Sequence, residues 1–438
     1  MATRSAVART DAQQEAPRRG ALNTSLHHPF ARKVVVIKGG TIMTANLTRL
    51  VVSAHEEPGW DYGTIRSPYS RFHVANGAKY TVYNNRLMPV SQKIDRLDGY
   101  WALRTKAGLF DTGERPIQIK GPDAASFCNR VFTRDCAKLK PGRAGYGLLC
   151  YPNGGILCDG VLMRLEEDTY WYVQADGPVF SWFIAHSQDL DVEISDPDSW
   201  ATQIQGPASL DILAKLSDTG VPAEFKYFAV ARTTIGGQPV ILSRTGWTNE
   251  MGFEVYTLPN GGKFDGAAMW ERFLAAGRPH GMEICALDSM DIRRIEGGIL
   301  NNGSDMDETM TPFEAGLGAF VDLGKDDFVG KAALAKVTSS NRVVGLKCPG
   351  GEPLRLGAVS ANGKKVGFVT AGAWSPYLKQ GVAIVRLDNA MAAGTAVEVL
   401  CRDGNSHVAI LDDMPLYDKE KKIPRGLEPS IPVQHAAE

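Results

Sequence analysis

The sequence predicts an α+β chain that closes with a small all-β domain, a barrel or a sandwich. Two observations carry this expectation. A strand–Gly-Pro–helix unit occurs twice, as IKGPDA at residues 119–124 and IQGPAS at residues 204–209, which points to related halves. After about residue 340 helical spacing gives way to short β segments divided by Gly and Pro.

The elements follow in order. Residues 96–107 carry Leu97, Tyr100, Trp101, Leu103 and Arg104 at helical spacing. Residues 117–119 alternate as a strand, and 123–131 read as a helix after the cap-like Gly121-Pro122-Asp123. Strands are expected at 146–150, 161–165 and 170–174, with Pro152-Asn153-Gly154-Gly155 as a hairpin turn between the first two. Residues 179–187 form an amphipathic helix. The cycle then restarts with a strand at 201–204, a turn at Gln205-Gly206-Pro207 and a helix at 208–216. In the last section, strands are expected at 343–347, 365–370, 382–386 and 396–400.

These elements divide the chain into an extension at 1–66, a core at 67–340 built as two intertwined α+β domains, and a C-terminal β domain at 341–438. The extension is rich in Arg, Ala and Gln. Apart from short strands at 33–38 and 47–53 it lacks periodicity, so poor order is expected. Its composition leans toward a transit peptide, but Asp11 and Glu15 work against that reading.

Composition narrows the function classes. Of 438 residues, 48 are basic and 49 acidic, a net charge of −1. That balance argues against nucleic acid or an anionic membrane as partner. No run of about 18 apolar residues marks a membrane span. The 7 cysteines are odd in number and match no zinc spacing, so reduced thiols in a cytoplasmic compartment are expected. HExxH, Walker and GxGxxG motifs are missing, which leaves no basis for a metal, a nucleoside triphosphate or a dinucleotide.

The most telling stretch is residues 244–256, RTGWTNEMGFEVY. A Gly-rich turn feeds an alternating strand that carries one carboxylate, Glu254, between two aromatic rings. Such rings supply stacking area, and the carboxylate accepts two coplanar hydrogen bonds. A flat heterocycle with adjacent N–H donors, such as a pterin, offers the matching edge.

Four blocks in order then resemble the folate-dependent aminomethyltransferase family, to which the glycine cleavage T-protein belongs. They are residues 103–111 (LRTKAGLFD), 153–159 (NGGILCD), 205–207 (QGP) with 246–256, and 366–376 (VGFVTAGAWSP) followed by 382–385 (VAIV). The likeness runs from about Tyr80 to about Leu416. Within the family, residues 80–84, 243–247, 294–298 and 302–307 look most like dimethylsulfoniopropionate demethylase. The resemblance implies a three-domain cloverleaf with a C-terminal small β-barrel and tetrahydrofolate threaded through its centre. It also implies that Glu254 binds the pterin with Tyr256 beside it, and that Tyr146, Gln174 and Trp247 line the folate cavity.

Two departures from the T-protein bear on chemistry. Its two consecutive acids after the Gly-Gly turn read Cys158-Asp159 here, so the first, catalytic acid is missing. Its folate-holding Arg is replaced by Met290. The sulfonium demethylase also lacks the first acid, so the leading expectation is methyl transfer from a small donor, a sulfonium or ammonium osmolyte, giving 5-methyltetrahydrofolate. The tetrahydrofolate N5 amine is unprotonated at neutral pH, and an onium donor leaves as a neutral product, so alignment matters more than acid–base help. Aromatic methyl or methylenedioxy ethers are the alternative donors, followed by glycine cleavage aminomethyl transfer and by non-catalytic folate binding. A lipoyl carrier protein is not expected as partner.

Asp159 is the surviving acid, able to orient substrate or amine, or simply to stabilise its turn. Cys158 is a nucleophile candidate or a small apolar filler. Tyr80, Tyr83 and Trp247 offer faces to an onium donor. Arg294 is a candidate for a substrate carboxylate, while Arg293 and Glu296 have the spacing of a helical pair. Residues 305–308 resemble a metal loop but lack calcium spacing, and read as a solvated or folate-facing loop.

Overall fold

The computed structural model describes residues 65–259 and 264–428, together with the backbone of a short antiparallel pair, Val35–Ile37 with Gly40–Ile42. The strand expected at 33–38 is thus met in part, while the remainder of the extension, including the strand expected at 47–53, lies outside the described residues.

The first sheet has 5 strands in the order Glu193–Ser195, Arg115–Lys120, Thr169–Gln174, Ile156–Glu166, Arg143–Cys150, all antiparallel. Helices Ala124–Val131 and Val179–His186 cover one face, where Phe127 and Phe183 pack on Ile117, Leu162 and Tyr172. The second sheet has 6 strands in the order Val230–Ile235, Gln238–Ser243, Gly252–Thr257, Ala201–Gln205, Gly108–Thr112, Glu283–Ile284. Helices Ser209–Leu216 and Gly266–Gly277 cover it through Ile212, Leu213, Trp270 and Phe273. The uncovered faces of the two sheets meet: Met163, Trp171 and Val173 of the first pack with Ala201, Ile241 and Tyr256 of the second.

The repeated Gly-Pro unit has a steric cause. Gly121 and Gly206 have φ of +145° and +123°, and a Cβ would fall 2.4 Å from the Asp191 carbonyl and 2.6 Å from the Leu103 carbonyl. Only glycine lets each strand turn into its helix so close to a neighbouring backbone.

The C-terminal section is a closed barrel of Val343–Cys348, Gln380–Leu387, Lys364–Ser375, Ala358–Ala361, Ala396–Leu400 and Ser406–Asp412. The barrel, not the sandwich, is therefore correct. Helices Arg96–Thr105 and Leu287–Glu296 carry Tyr100, Ile292 and Ile295 into a core shared with Ala373, Val382 and Ile384 of the barrel. A buried ionic cluster ties the same parts together. Glu250 accepts from Arg104 at 2.8 Å and Arg293 at 2.7 Å, and Glu296 accepts from Tyr100 and Ser375. Two guanidiniums against two carboxylates leave no net charge in the interior, which is the condition for burying them at tolerable cost.

Candidate functional site

Where the two sheets, the Leu287–Glu296 helix and the barrel converge, a cavity of about 620 Å³ opens. The turn at 244–252 shapes one wall. The Gln205 amide lies where a Cβ on Gly246 or Gly252 would sit, 2.2 Å away in each case, and it donates to the Thr245 carbonyl and accepts from Thr248. The Gln-Gly-Pro block and the Gly-rich block are therefore one packed unit, and both glycines exist to admit that amide.

Glu254 follows on Gly252–Thr257 and lines the cavity as a buried residue. Its Oε2 accepts from Tyr256 Oη at 2.7 Å and from Thr245, and its Oε1 accepts from Gln203 Nε2 at 3.0 Å. Burial pushes its pKa up, and the Thr245 and Tyr256 hydrogen bonds pull it back. The expectation that two rings flank this carboxylate is corrected. Strand alternation sends Phe253 to the opposite face, where it stacks on Phe225 in the core, and Tyr256 acts through its hydroxyl.

Asp159 lines the same cavity from the first sheet. Its Oδ2 accepts from Tyr146 Oη at 2.8 Å, and burial pushes its pKa up to about 6 against the pull of that hydrogen bond. Cys158, one residue earlier, faces the other way into the sheet–helix core, its thiol directed at the Asp159 and Ala175 carbonyls and pushed well above the usual thiol range by burial. It does not line the cavity, and no thiolate nucleophile is available there.

Tyr83, Tyr146, Gln174 and Trp247 are all in the lining. Tyr80 is not: it lies earlier on the strand Lys79–Tyr83, near Asp111. Arg294 lines the cavity but is committed to Asp291 at 2.6 Å and to Asp305, with its guanidinium 5.2 Å from the Trp247 ring centroid. It therefore brings no spare charge for a substrate carboxylate, and it already occupies one face of Trp247. Arg293 pairs with Glu250 as well as Glu296. The 305–308 loop is not solvated throughout: Asp305 is buried, and Thr370 of the barrel also donates to it. Among the described residues no His, Cys, Asp and Glu group is arranged to hold a metal.

Glu114, Gln203 and Thr245 are among the lining residues that the sequence reading does not mark. Glu114 lies three residues beyond the 103–111 block, in a short connection with no periodicity to mark it. Gln203 sits in a strand buried on both faces, where alternation is silent.

The lining suits a flat, N–H-rich ring. Asp159 Oδ1, Gln174 Oε1, Gln203 Oε1 and Asn302 Oδ1 are buried acceptors that no protein donor reaches, and all four residues line the cavity. A ligand edge bearing several N–H groups satisfies what the protein leaves unmet. Two facing sheets and a barrel around such a cavity thus offer the acceptors that a pterin-type heterocycle would use.

The comparisons agree. The GCVT N-terminal domain model matches residues 69–325, and the glycine cleavage T-protein C-terminal barrel domain model matches residues 341–418. The aminomethyltransferase of Symbiobacterium thermophilum is 34% identical over 80% of this chain and 97% of its own length. That of Streptomyces coelicolor is 35% identical over 81% and 98%. The crystal structure of glycine cleavage system aminomethyltransferase T from Bartonella henselae superposes with a TM-score of 0.72 at 27% identity, covering 81% of this chain and 98% of that one. The chain belongs to the aminomethyltransferase family of tetrahydrofolate-dependent one-carbon transferases. Among the described residues no helix is long and apolar enough to cross a membrane.

Proposed function

We propose that this protein transfers a one-carbon unit from an amine-type donor to tetrahydrofolate. The observation that carries the reading is the pair of separately held, buried carboxylates that line one cavity from different sheets, Glu254 and Asp159. Tetrahydrofolate, when bound, supplies the nitrogen that accepts the one-carbon unit. Glu254, held by Tyr256, Thr245 and Gln203, receives the N–H edge of the ring. Asp159, oriented by Tyr146, keeps one oxygen without a protein donor and is ionised above about pH 6. An ionised carboxylate there attracts a cationic donor and holds or relays the proton that an amine leaving group takes up. Tyr83 and Trp247 add aromatic faces to the lining. The aminomethyltransferase name of the relatives supports this chemistry over the sulfonium demethylation expected from residues 80–84, 243–247, 294–298 and 302–307.

A second reading, methyl transfer from an onium donor, is favoured by one observation. Cys158 faces the core where the T-protein carries its first acid, so only Asp159 of that turn reaches the cavity. A single-turnover assay with tetrahydrofolate and a panel of aminomethyl, sulfonium, quaternary ammonium and aryl ether donors separates the two. The proposal expects methylenetetrahydrofolate from the aminomethyl donor by mass spectrometry. Formation of 5-methyltetrahydrofolate from an onium donor alone replaces it with the second reading, and no folate product with any donor overturns both.

A further inference from the structure

We infer that Glu114 is a second carboxyl of the ring-binding wall, neutral in the working protein, which holds a proton beside Glu254 and keeps the pair at a single negative charge. The inference rests on the folate-binding reading above and deepens it. Gln203 Nε2 donates to Glu114 Oε1 at 2.9 Å and to Glu254 Oε1 at 3.0 Å, so one amide bridges both acids. Each carboxyl lines the cavity. Glu114 Oε2 accepts from Thr112 Oγ1 at 2.7 Å, and no salt bridge to its side chain is present among the described residues. Glu254 is buried and Glu114 half-buried, so two carboxylates sharing one amide here repel each other, and the cheapest relief is for one to keep its proton.

The two acids differ in what holds them. Glu254 has hydrogen bonds from Tyr256, Thr245 and Gln203, which favour its ionised form, whereas Glu114 has those of Thr112 and Gln203. The proton therefore settles on Glu114. Burial, followed by the Glu254 charge, pushes Glu114 up to about 8. The other charged or titratable groups around it are Arg86, whose Nη1 donates to the Glu114 carbonyl at 2.7 Å, and the hydroxyls of Tyr83 and Tyr256.

A neutral Glu114 changes what the wall offers. Glu254 presents acceptors only, while a protonated Glu114 presents an O–H donor next to it. An acceptor-and-donor pair recognises a ring edge that alternates N–H groups with carbonyl or ring-nitrogen acceptors, as a pterin does. A ligand seated there removes the last solvent from the pair and favours the protonated form further. Affinity therefore falls as Glu114 ionises.

The test is anaerobic calorimetric titration of tetrahydrofolate from about pH 6 to about pH 9 on the wild type and Glu114→Gln. The wild type is expected to lose affinity above about pH 8, approaching tenfold per pH unit, while Glu114→Gln gives a profile without that fall. Identical profiles, or a Glu114→Gln protein that binds at no pH while the wild type binds, overturn the inference, the latter by showing that Glu114 acts ionised. Infrared difference spectra keep it testable if Glu114→Gln misfolds. The wild type must lose a protonated-carboxyl stretch on titration through pH 8, and Glu254→Gln, which removes the neighbouring charge, must move that midpoint down. A midpoint that stays put, or no such band, counts against it. A wild type that binds no tetrahydrofolate at any pH removes the folate reading itself.

Discussion

Tyr146 donates its hydroxyl to Asp159 Oδ2 at 2.8 Å across neighbouring strands of the first sheet, leaving Oδ1 buried without a protein partner. The hydrogen bond to Oδ2 fixes the direction of the carboxylate. Asp159→Asn removes the charge and keeps the shape. It is expected to lower single-turnover rate by about 100-fold or more while leaving tetrahydrofolate affinity within a few-fold, since general acid–base groups contribute on that scale. The sign with pH follows from burial: the Asp159 pKa is raised to about 6, so the ionised form is lost as pH falls through 6 and the rate falls with it. A wild-type rate that is flat from pH 5 to pH 7 contradicts this role.

The ionic cluster behind the site predicts a stability effect rather than a catalytic one. Glu296 is fully buried and accepts from Tyr100 at 2.8 Å, from Ser375 and from Arg104 at 3.3 Å. Glu296→Gln leaves the Arg104–Arg293 pair short of one negative charge. A loss of about 3–5 kcal/mol is expected in urea unfolding, the usual cost of breaking a buried pair from one side. Loss below about 1 kcal/mol would mean that the cluster takes in water or changes protonation instead.

Cys158 offers the opposite prediction. Its side chain is core filling, so Cys158→Ala should cost about 1 kcal/mol of stability and leave the single-turnover rate within about twofold. A rate loss of about 100-fold with normal folding would restore the nucleophile reading.

Legibility in the sequence tracks periodicity. The amphipathic helix at 96–107, the hairpin around Pro152–Gly155 and the repeated Gly-Pro turn are found as Arg96–Thr105, Arg143–Cys150 with Ile156–Glu166, and the glycines at 121 and 206. Strand Gly108–Thr112 has every residue buried, so no alternation announces it. The barrel strands Ala358–Ala361 and Ser406–Asp412 are not marked in the sequence either; the latter shows Val408 and Ile410 to solvent, which blurs its pattern. At the site, Glu254 and Asp159 were marked by their motifs, whereas Glu114 and Gln203 reach the cavity only through sheet pairing between distant segments. What the aromatics beside Glu254 do depends on strand face, which separates Phe253 from Tyr256.

The central claim is that Glu254 anchors the folate ring. Calorimetric titration of tetrahydrofolate into the wild type, Glu254→Gln and Tyr256→Phe at neutral pH tests it most directly. The account predicts binding by the wild type, a loss of affinity of about 100-fold or more in Glu254→Gln, and a smaller loss of about tenfold in Tyr256→Phe, as expected for removing a charged acceptor against removing one donor to it. Wild-type affinity preserved in a folded Glu254→Gln protein would contradict it.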